Sequence, residues 1–402
     1  MSNNNKTPEI RFKGFTDAWE QRKLGDIGET YTGLSGKTKE DFGHGDAKFV
    51  TYMNVFSNSI ADSAMTESVE IDKKQNEVKY GDVFFTTSSE TPDEVGMSSV
   101  WLENSENTYL NSFCFGYRPN ENINPYYMAY MLRSENVRKS IIFLAQGISR
   151  YNISKNKMME ISVPLPNLDE QQKIGDYFRN LDNLITLHQR KLEKLKNVRE
   201  SMLQKMFPQN GSNKPEIRFK GFTAAWEQRK LSEISECLDS MRIPLNANER
   251  SKMQGSIPYY GAGRIQDYIN QYLFDEELVL LLEDGDAFDD FKTKSIAQYI
   301  CGKSWVNNHA HILRPKGDAF FLFISLAHKD IRNVTQLAGA SRKKLVKDAM
   351  LRIAIDVPSI AEQTKIGAFF KELDGLITLH QRQCDKYKSI KAGLIRKLFP
   401  ME

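Results

Sequence analysis

The chain has 402 residues, 40% hydrophobic and 27% charged, an ordinary globular composition with room for two or three domains. Its net charge is only +3, so a nucleic-acid-binding role requires basic residues to be concentrated locally. The longest aliphatic run, Leu278 to Leu282, is too short to cross a bilayer, the start MSNNNKTPEIRFKGF lacks an apolar secretory core, and the cysteines (Cys114, Cys237, Cys301, Cys384) form no C-x-x-C, which suits a reducing cytoplasm and argues against a zinc cluster or a disulfide scaffold.

From the N-terminus, PEIRFKGFTDAWEQRKL (8–24) is the first half of a repeat that returns as PEIRFKGFTAAWEQRKL (215–231), with Asp17 and Ala224 the sole difference. Ser35-Gly36-Lys37-Thr38 has the tail of a phosphate loop, but tyrosine stands at 31 where that loop needs glycine, and no aliphatic strand leads into it. Strands are expected at Lys48–Asn54 and Asp82–Thr87, and a helix at Pro125–Leu132. Asn124-Pro125-Tyr126-Tyr127 shares letters with the N-P-P-Y loop of adenine methyltransferases, but it lacks the second proline and a Gly-rich cofactor strand; proline in a first helical turn explains it. Next comes Gly147-x-Ser149-Arg150-x-x-Ile153-x-Lys155.

EQQKIGDYFRNLDNLITLHQR (170–190) is matched by EQTKIGAFFKELDGLITLHQR (362–382). Each copy follows a proline and a capping signal, Asn167-x-x-Glu170 and Ser359-x-x-Glu362, and runs to Pro208 or Pro400. The spacing predicts two helices of about 39 residues, roughly 58 Å each. Apolar positions three and four apart, among them Leu181, Leu184, Leu195 and Met202 in the first and Leu373, Ile377 and Leu394 in the second, predict an antiparallel coiled-coil seam. His188 and His380 fall on or near it, and packing explains them better than metal binding. A pseudo-two-fold also predicts that the end of the second helix lies near the start of the chain.

In the second half a strand is expected at Leu278–Leu282 and a helix at Ala319–His328. Asp284, Asp286, Asp289 and Asp290-Phe291-Lys292 are read as an acidic loop rather than a nuclease centre. His309-x-His311 lacks a nearby third ligand, so local packing is preferred. Gly339-x-Ser341-Arg342-x-x-Leu345-x-Lys347 repeats the first basic loop. Residues Ser149, Arg150, Asn152, Lys155 and Lys157, with Ser341, Arg342, Lys343, Lys344 and Lys347, suit a sequence-independent phosphate clamp; a solvated turn before a strand is the competing reading. The stretches 40–110 and 245–310 do not align by eye, so base-reading side chains are expected among their unshared polar residues. No catalytic or metal centre emerges.

The repeat with W-E-Q-R-K-L, the G-x-S-R loops, W-V-N-N-H-A-H-I-L (305–313) and the L-I-T-L-H-Q-R helices together resemble the specificity subunit of a type I restriction–modification system over essentially the whole chain. The resemblance implies an α+β fold: two globular mixed α/β target-recognition domains in pseudo-two-fold arrangement, separated by an antiparallel coiled coil of two long helices. The expected divisions are 1–165 and 213–357 for the domains, and 166–212 and 358–402 for the helices. It further implies a non-catalytic, cytoplasmic reader of bipartite double-stranded DNA. Its partners would be two methyltransferase subunits and restriction subunits, with S-adenosylmethionine, ATP and Mg bound by those partners and no cofactor or membrane contact in this chain. A two-lobed protein–protein adaptor is the alternative.

Overall fold

The computed structural model describes residues 7–209, 211–261, 263–284, 286–333, 336–338 and 342–399; at 286, 336–338, 342 and 343 it describes backbone alone. The chain divides into two compact units, Met1–Gln189 with Arg382–Glu402, and Arg190–Gln381. Each unit is therefore completed by chain from the other half of the sequence.

In unit 1 the strands are β1 Glu20–Lys23, β2 Gly28–Thr32, β3 Phe42–Val50, β4 Thr66–Val69, β5 Val83–Thr86, β6 Ser88–Ser89, β7 Ser98–Val100, β8 Thr108–Leu110, β9 Cys114–Pro119, β10 Tyr151–Asn152 and β11 Ser162–Leu165. The helices are α1 Tyr52–Ser57, α2 Pro125–Met131, α3 Glu135–Phe143, α4 Lys155–Met159 and α5 Leu168–Met206. An antiparallel sheet β2-β9-β5-β7 stands beside a smaller sheet β4-β3-β8 whose β3–β8 pair is parallel. The strand expected over Lys48–Asn54 ends at Val50, because the Thr51 side chain accepts from the Asn54 N–H and caps α1.

In unit 2 the strands are β12 Glu227–Lys230, β13 Ser235–Cys237, β14 Gln254–Tyr260, β15 Ile265–Ile269, β16 Phe274–Asp275, β17 Leu278–Leu282, β18 Ala297–Ile300, β19 Lys303–Val306, β20 Ala310–Pro315, β21 Gln336–Ala338, β22 Arg342–Lys344 and β23 Ala354–Val357. The helices are α6 Leu231–Ile234, α7 Ala247–Lys252, α8 Ala319–Ala327, α9 Lys347–Leu351 and α10 Ile360–Leu398. Its sheets are β13-β20-β17-β18, antiparallel, and β15-β14-β19-β16, with β14 and β19 parallel. The middles that do not align as sequence thus build the same core topology. Apolar pattern alone decides such sheets, so paired volumes can be exchanged. Tyr31 lies opposite Gly116, whose missing Cβ leaves space for the ring; at the matching place in unit 2, Leu238 bonds Ile312.

The near-identical repeats do the same work in each unit. β1 pairs antiparallel with β11, the strand that leads into α5, and β12 pairs likewise with β23 ahead of α10. The capping signals are half as expected. Asn167 Oδ1 and Ser359 Oγ accept from the N–H of Glu170 and Glu362. The glutamate side chains do not reach back to complete the box, because arginines of the repeats hold them. Arg11 grips the fully buried Glu170 at 2.7 Å through both Nε and Nη2, and Arg218 grips Glu362 at 2.8 and 2.7 Å. Such forked, charge-assisted pairs tie the chain ahead of β1 and β12 to the first turns of α5 and α10.

Both long helices span 39 residues and carry a regular three–four spacing. In unit 1, Ile174, Phe178, Leu181 and Ile185 of α5 are buried, and Cys384 and Leu398 of α10 are buried with them. In unit 2, Met206 of α5 and Ile366, Phe370 and Leu373 of α10 are buried. Leu184, expected on the seam, is 37% exposed. From Leu181 the spacing continues to Ile185, which places Leu184 about 100° off the buried face. His188 is half-buried, its ring 5.6 Å from that of Tyr387. Leu195, Met202, Ile377, His380 and Leu394 are likewise half-buried.

The helices run antiparallel in each unit. In unit 1, Asp182 faces Lys391 and His188 faces Tyr387; in unit 2, Arg199 pairs with Asp374 and Phe207 meets Phe370. A matching aromatic corner closes each unit. Phe399 stacks on Phe178 and lies edge-on to Trp19; Phe207 packs edge-on to Trp226 and beside Phe370. The end of α10 reaches the start of the chain as expected, with Lys397 bonded to Glu9 at 2.7 Å and Ile10 N–H to the Lys397 carbonyl.

Candidate nucleic-acid interface

The shared G-x-S-R segment of unit 1 is a tight hairpin. Gln146 and Asn152 exchange backbone bonds at 3.0 and 2.8 Å, and β10 pairs with β6. Gly147 sits at φ +145°, where a Cβ would lie 2.0 Å from the Arg150 carbonyl oxygen, so only glycine allows the turn. The hairpin carries Ser149, Arg150 and Asn152 exposed, and Ile148 is 97% exposed. Behind it, α4 is anchored by buried Met158, leaving Lys157 exposed and Lys155 half-buried.

The hairpin lies against the end of β5. The Thr87 carbonyl accepts from Ile153 N–H, while Thr87 N–H donates to Phe113. Phe113 is 59% exposed, in a turn closed by its N–H to Asn111 Oδ1. Tyr52 of α1 donates to the Ser88 carbonyl. Burial pushes the Tyr52 phenol up, and the Arg150 charge is among the groups acting against that shift. The corner so formed offers hydroxyls, a guanidinium and exposed apolar side chains.

Unit 2 has the same backbone frame. Leu345 N–H donates to Glu283, Glu283 N–H donates to His309, and His309 N–H donates to Asn307 Oδ1. β22 pairs antiparallel with β21. Of the residues expected here, Ser341 and Gly339 lie outside the described residues, and Arg342 and Lys343 are placed by backbone alone. Lys347 is exposed at the start of α9, which buried Met350 anchors. Lys344 is half-buried and bonded to Glu283 at 3.0 Å.

The side chains around this second frame differ in kind. Glu283 also binds Arg242 at 2.6 Å, and His309 faces Asp284 at 3.3 Å. Buried His311 joins Asp239 at 2.6 Å and the Leu345 carbonyl at 2.8 Å, which is the packing role expected of it. Burial opposes ionisation of Asp239, but the bonds from His311 and the Ile312 N–H outweigh it and hold that carboxyl below its ordinary value. Arg264, Gln266, Asn308 and His309 are exposed.

The motifs set aside have structural roles. Asn124 caps α2 by accepting from Tyr127 N–H. Thr38 and Asp41 close a capping box, and Lys37 pairs with Asp72 at 3.1 Å. Asp290 pairs with Lys294. Among the described residues no three His, Cys, Asp or Glu side chains converge as metal ligands, and no helix is long and apolar enough to cross a membrane. The sequence reading missed Phe113, Thr87 and the Arg–Glu clamps. The clamps were detectable, since Arg11 and Glu170 both recur unchanged in the repeats. The turn residues carried no local signal.

A family model described as a type I restriction modification DNA specificity domain matches residues 16–197 and again 224–387. The chain is similar to a MjaX type I restriction enzyme specificity subunit of Methanocaldococcus jannaschii, 24% identical over 413 residues that cover 94% of this chain and 92% of that one. It is 36% identical over 153 residues, 38% of each chain, to a type I restriction enzyme specificity subunit of Haemophilus influenzae. Its fold is similar to the crystal structure of the type I restriction–modification S subunit from M. genitalium, with a TM-score of 0.68 and 17% identity, covering 98% of this chain and 100% of that one.

Proposed function

Because the chain belongs to the type I restriction–modification DNA specificity family, we propose that it reads a bipartite duplex, one half-site per unit. Specificity subunits are non-catalytic; the modification and cleavage chemistry resides in other subunits of the enzyme. One observation carries the proposal: the chain that follows the shared G-x-S-R motif bonds the end of the central strand at the same place in both units, Ile153 to Thr87 and Leu345 to Glu283, beside unlike loops. Phosphate oxygens are common to every sequence, so a shared cationic hairpin suits them, whereas base edges differ and suit the unshared Phe113, Asn308, His309 and Arg264.

In this reading residues 1–165 and 213–357 are the reading domains. The helical stretches 166–212 and 358–402 set the gap between half-sites. The exposed leucines repeated on those helices, Leu184 and Leu187, then Leu376 and Leu379, suit docking of two methyltransferase subunits, with restriction subunits in the full complex. S-adenosylmethionine, ATP and Mg belong to those partners, and the complex works in the cytoplasm.

The test is retention on duplex DNA as salt rises. Removing one lysine or arginine that touches a phosphate should reduce the slope of log affinity against log salt by about 0.9. Salt-independent behaviour, with no retention even at low ionic strength, would favour the protein–protein adaptor instead.

A further inference from the structure

The shared motif G-x-S-R has one position that the two copies fill differently, Ile148 in unit 1 and Ala340 in unit 2. In unit 1 the constant members have clear tasks. Gly147 makes the turn, and Arg150 supplies charge. Ile148 has no task within the fold. At 97% it is more exposed than any other large apolar side chain described. It stands beside an exposed hydroxyl at Ser149 and an exposed guanidinium at Arg150, on a hairpin held at the end of β5 by the β10–β6 pair and the Ile153 N–H to the Thr87 carbonyl.

We propose that Ile148 is a specificity-determining residue of unit 1 that packs on the 5-methyl group of a thymine in the major groove. The inference rests on the DNA-reading function proposed above. The thymine methyl is the apolar feature a base edge offers there, and an aliphatic side chain is its natural contact. The neighbouring cation draws the hairpin to the backbone, which brings the apolar tip to a base edge rather than to a protein surface. Alanine at the equivalent position of unit 2 is shorter by the atoms that would make this contact, so the preference should belong to one half-site.

The experiment selects bound duplexes from a random pool, using the full chain with its methyltransferase partner. Wild type should enrich a thymine at one position of one half-site. Ile148→Ser should lose that preference and leave the other half-site unchanged. Replacing the thymine by deoxyuridine removes only the methyl group; it should weaken wild-type binding about fourfold, the value of one buried methyl, and leave the variant unaffected. Ile71→Ser, at an exposed apolar site away from the hairpin, should retain the full motif. A motif untouched by Ile148→Ser, an equal loss on all duplexes, or an affected position that is not thymine would overturn the inference while leaving DNA reading intact. A wild-type chain that enriches no motif would remove both.

Discussion

The two hairpin corners share a backbone frame and almost nothing else. In unit 1 the frame around Thr87 presents Phe113, Ile148 and Arg150, apolar tips with an exposed cation. In unit 2 the frame around Glu283 holds Arg242, Lys344, His309 and Asp284 in ion pairs and hydrogen bonds. The difference teaches that the hairpin's position is fixed by main-chain bonds to the end of the central strand, which no side-chain exchange disturbs. The exposed side chains at the corner can then differ in chemistry while the main-chain frame stays in place.

The anchors at the helix ends can be broken as well, and the units should respond unequally. Phe399→Ala removes a buried ring from the aromatic corner of unit 1 and should cost about 4 kcal/mol in denaturant unfolding. Phe207→Ala, at the half-buried counterpart in unit 2, should cost less. Arg218→Ala leaves buried Glu362 without its forked partner, a loss of about 3 kcal/mol. Arg11→Ala should be milder by about 1 kcal/mol, because Trp19 Nε1 still donates to Glu170 at 3.1 Å. Equal losses from the two arginines would show that the tryptophan bond is immaterial.

Charge reversal at Arg342 and Lys344 should weaken binding to all duplexes alike and flatten the salt dependence. Loss at one sequence only would move these residues from clamp to reader. A smaller effect concerns acid. The folded Asp239 carboxyl lies below its ordinary value of 3.8, so its contribution to stability is present above that pH and is lost as pH falls through the lower folded value. Asp239→Asn should therefore flatten the acid limb of the unit 2 unfolding profile, and an unchanged limb would show that the His311 bond does not couple to folding.

The long helices and the repeats were legible because their periods and prolines are local signals. The shared sheets were not, because matching positions are filled by unlike chemistry: the Tyr31 ring lies over Gly116 and its hydroxyl bonds Asp82, where buried Leu238 stands opposite Ile312 in unit 2. Lys48–Asn54 reads as one strand, yet Thr51 caps a helix within it, a choice that depends on the folded surroundings: Asn54 is fully buried and bonds the Asp62 carbonyl. The basic hairpins were visible as motifs. What they stand beside was not, since Phe113 and His309 reach their corners only through strand pairing.

The central claim is that each unit reads its own half-site. It is tested most directly by selecting bound duplexes with the wild-type chain and with a His309→Ala, Arg264→Ala variant of unit 2. Two specific segments separated by a fixed non-specific gap should emerge from the wild type, with only one segment altered in the variant. A single continuous motif, or loss of preference in both segments together, would contradict the account.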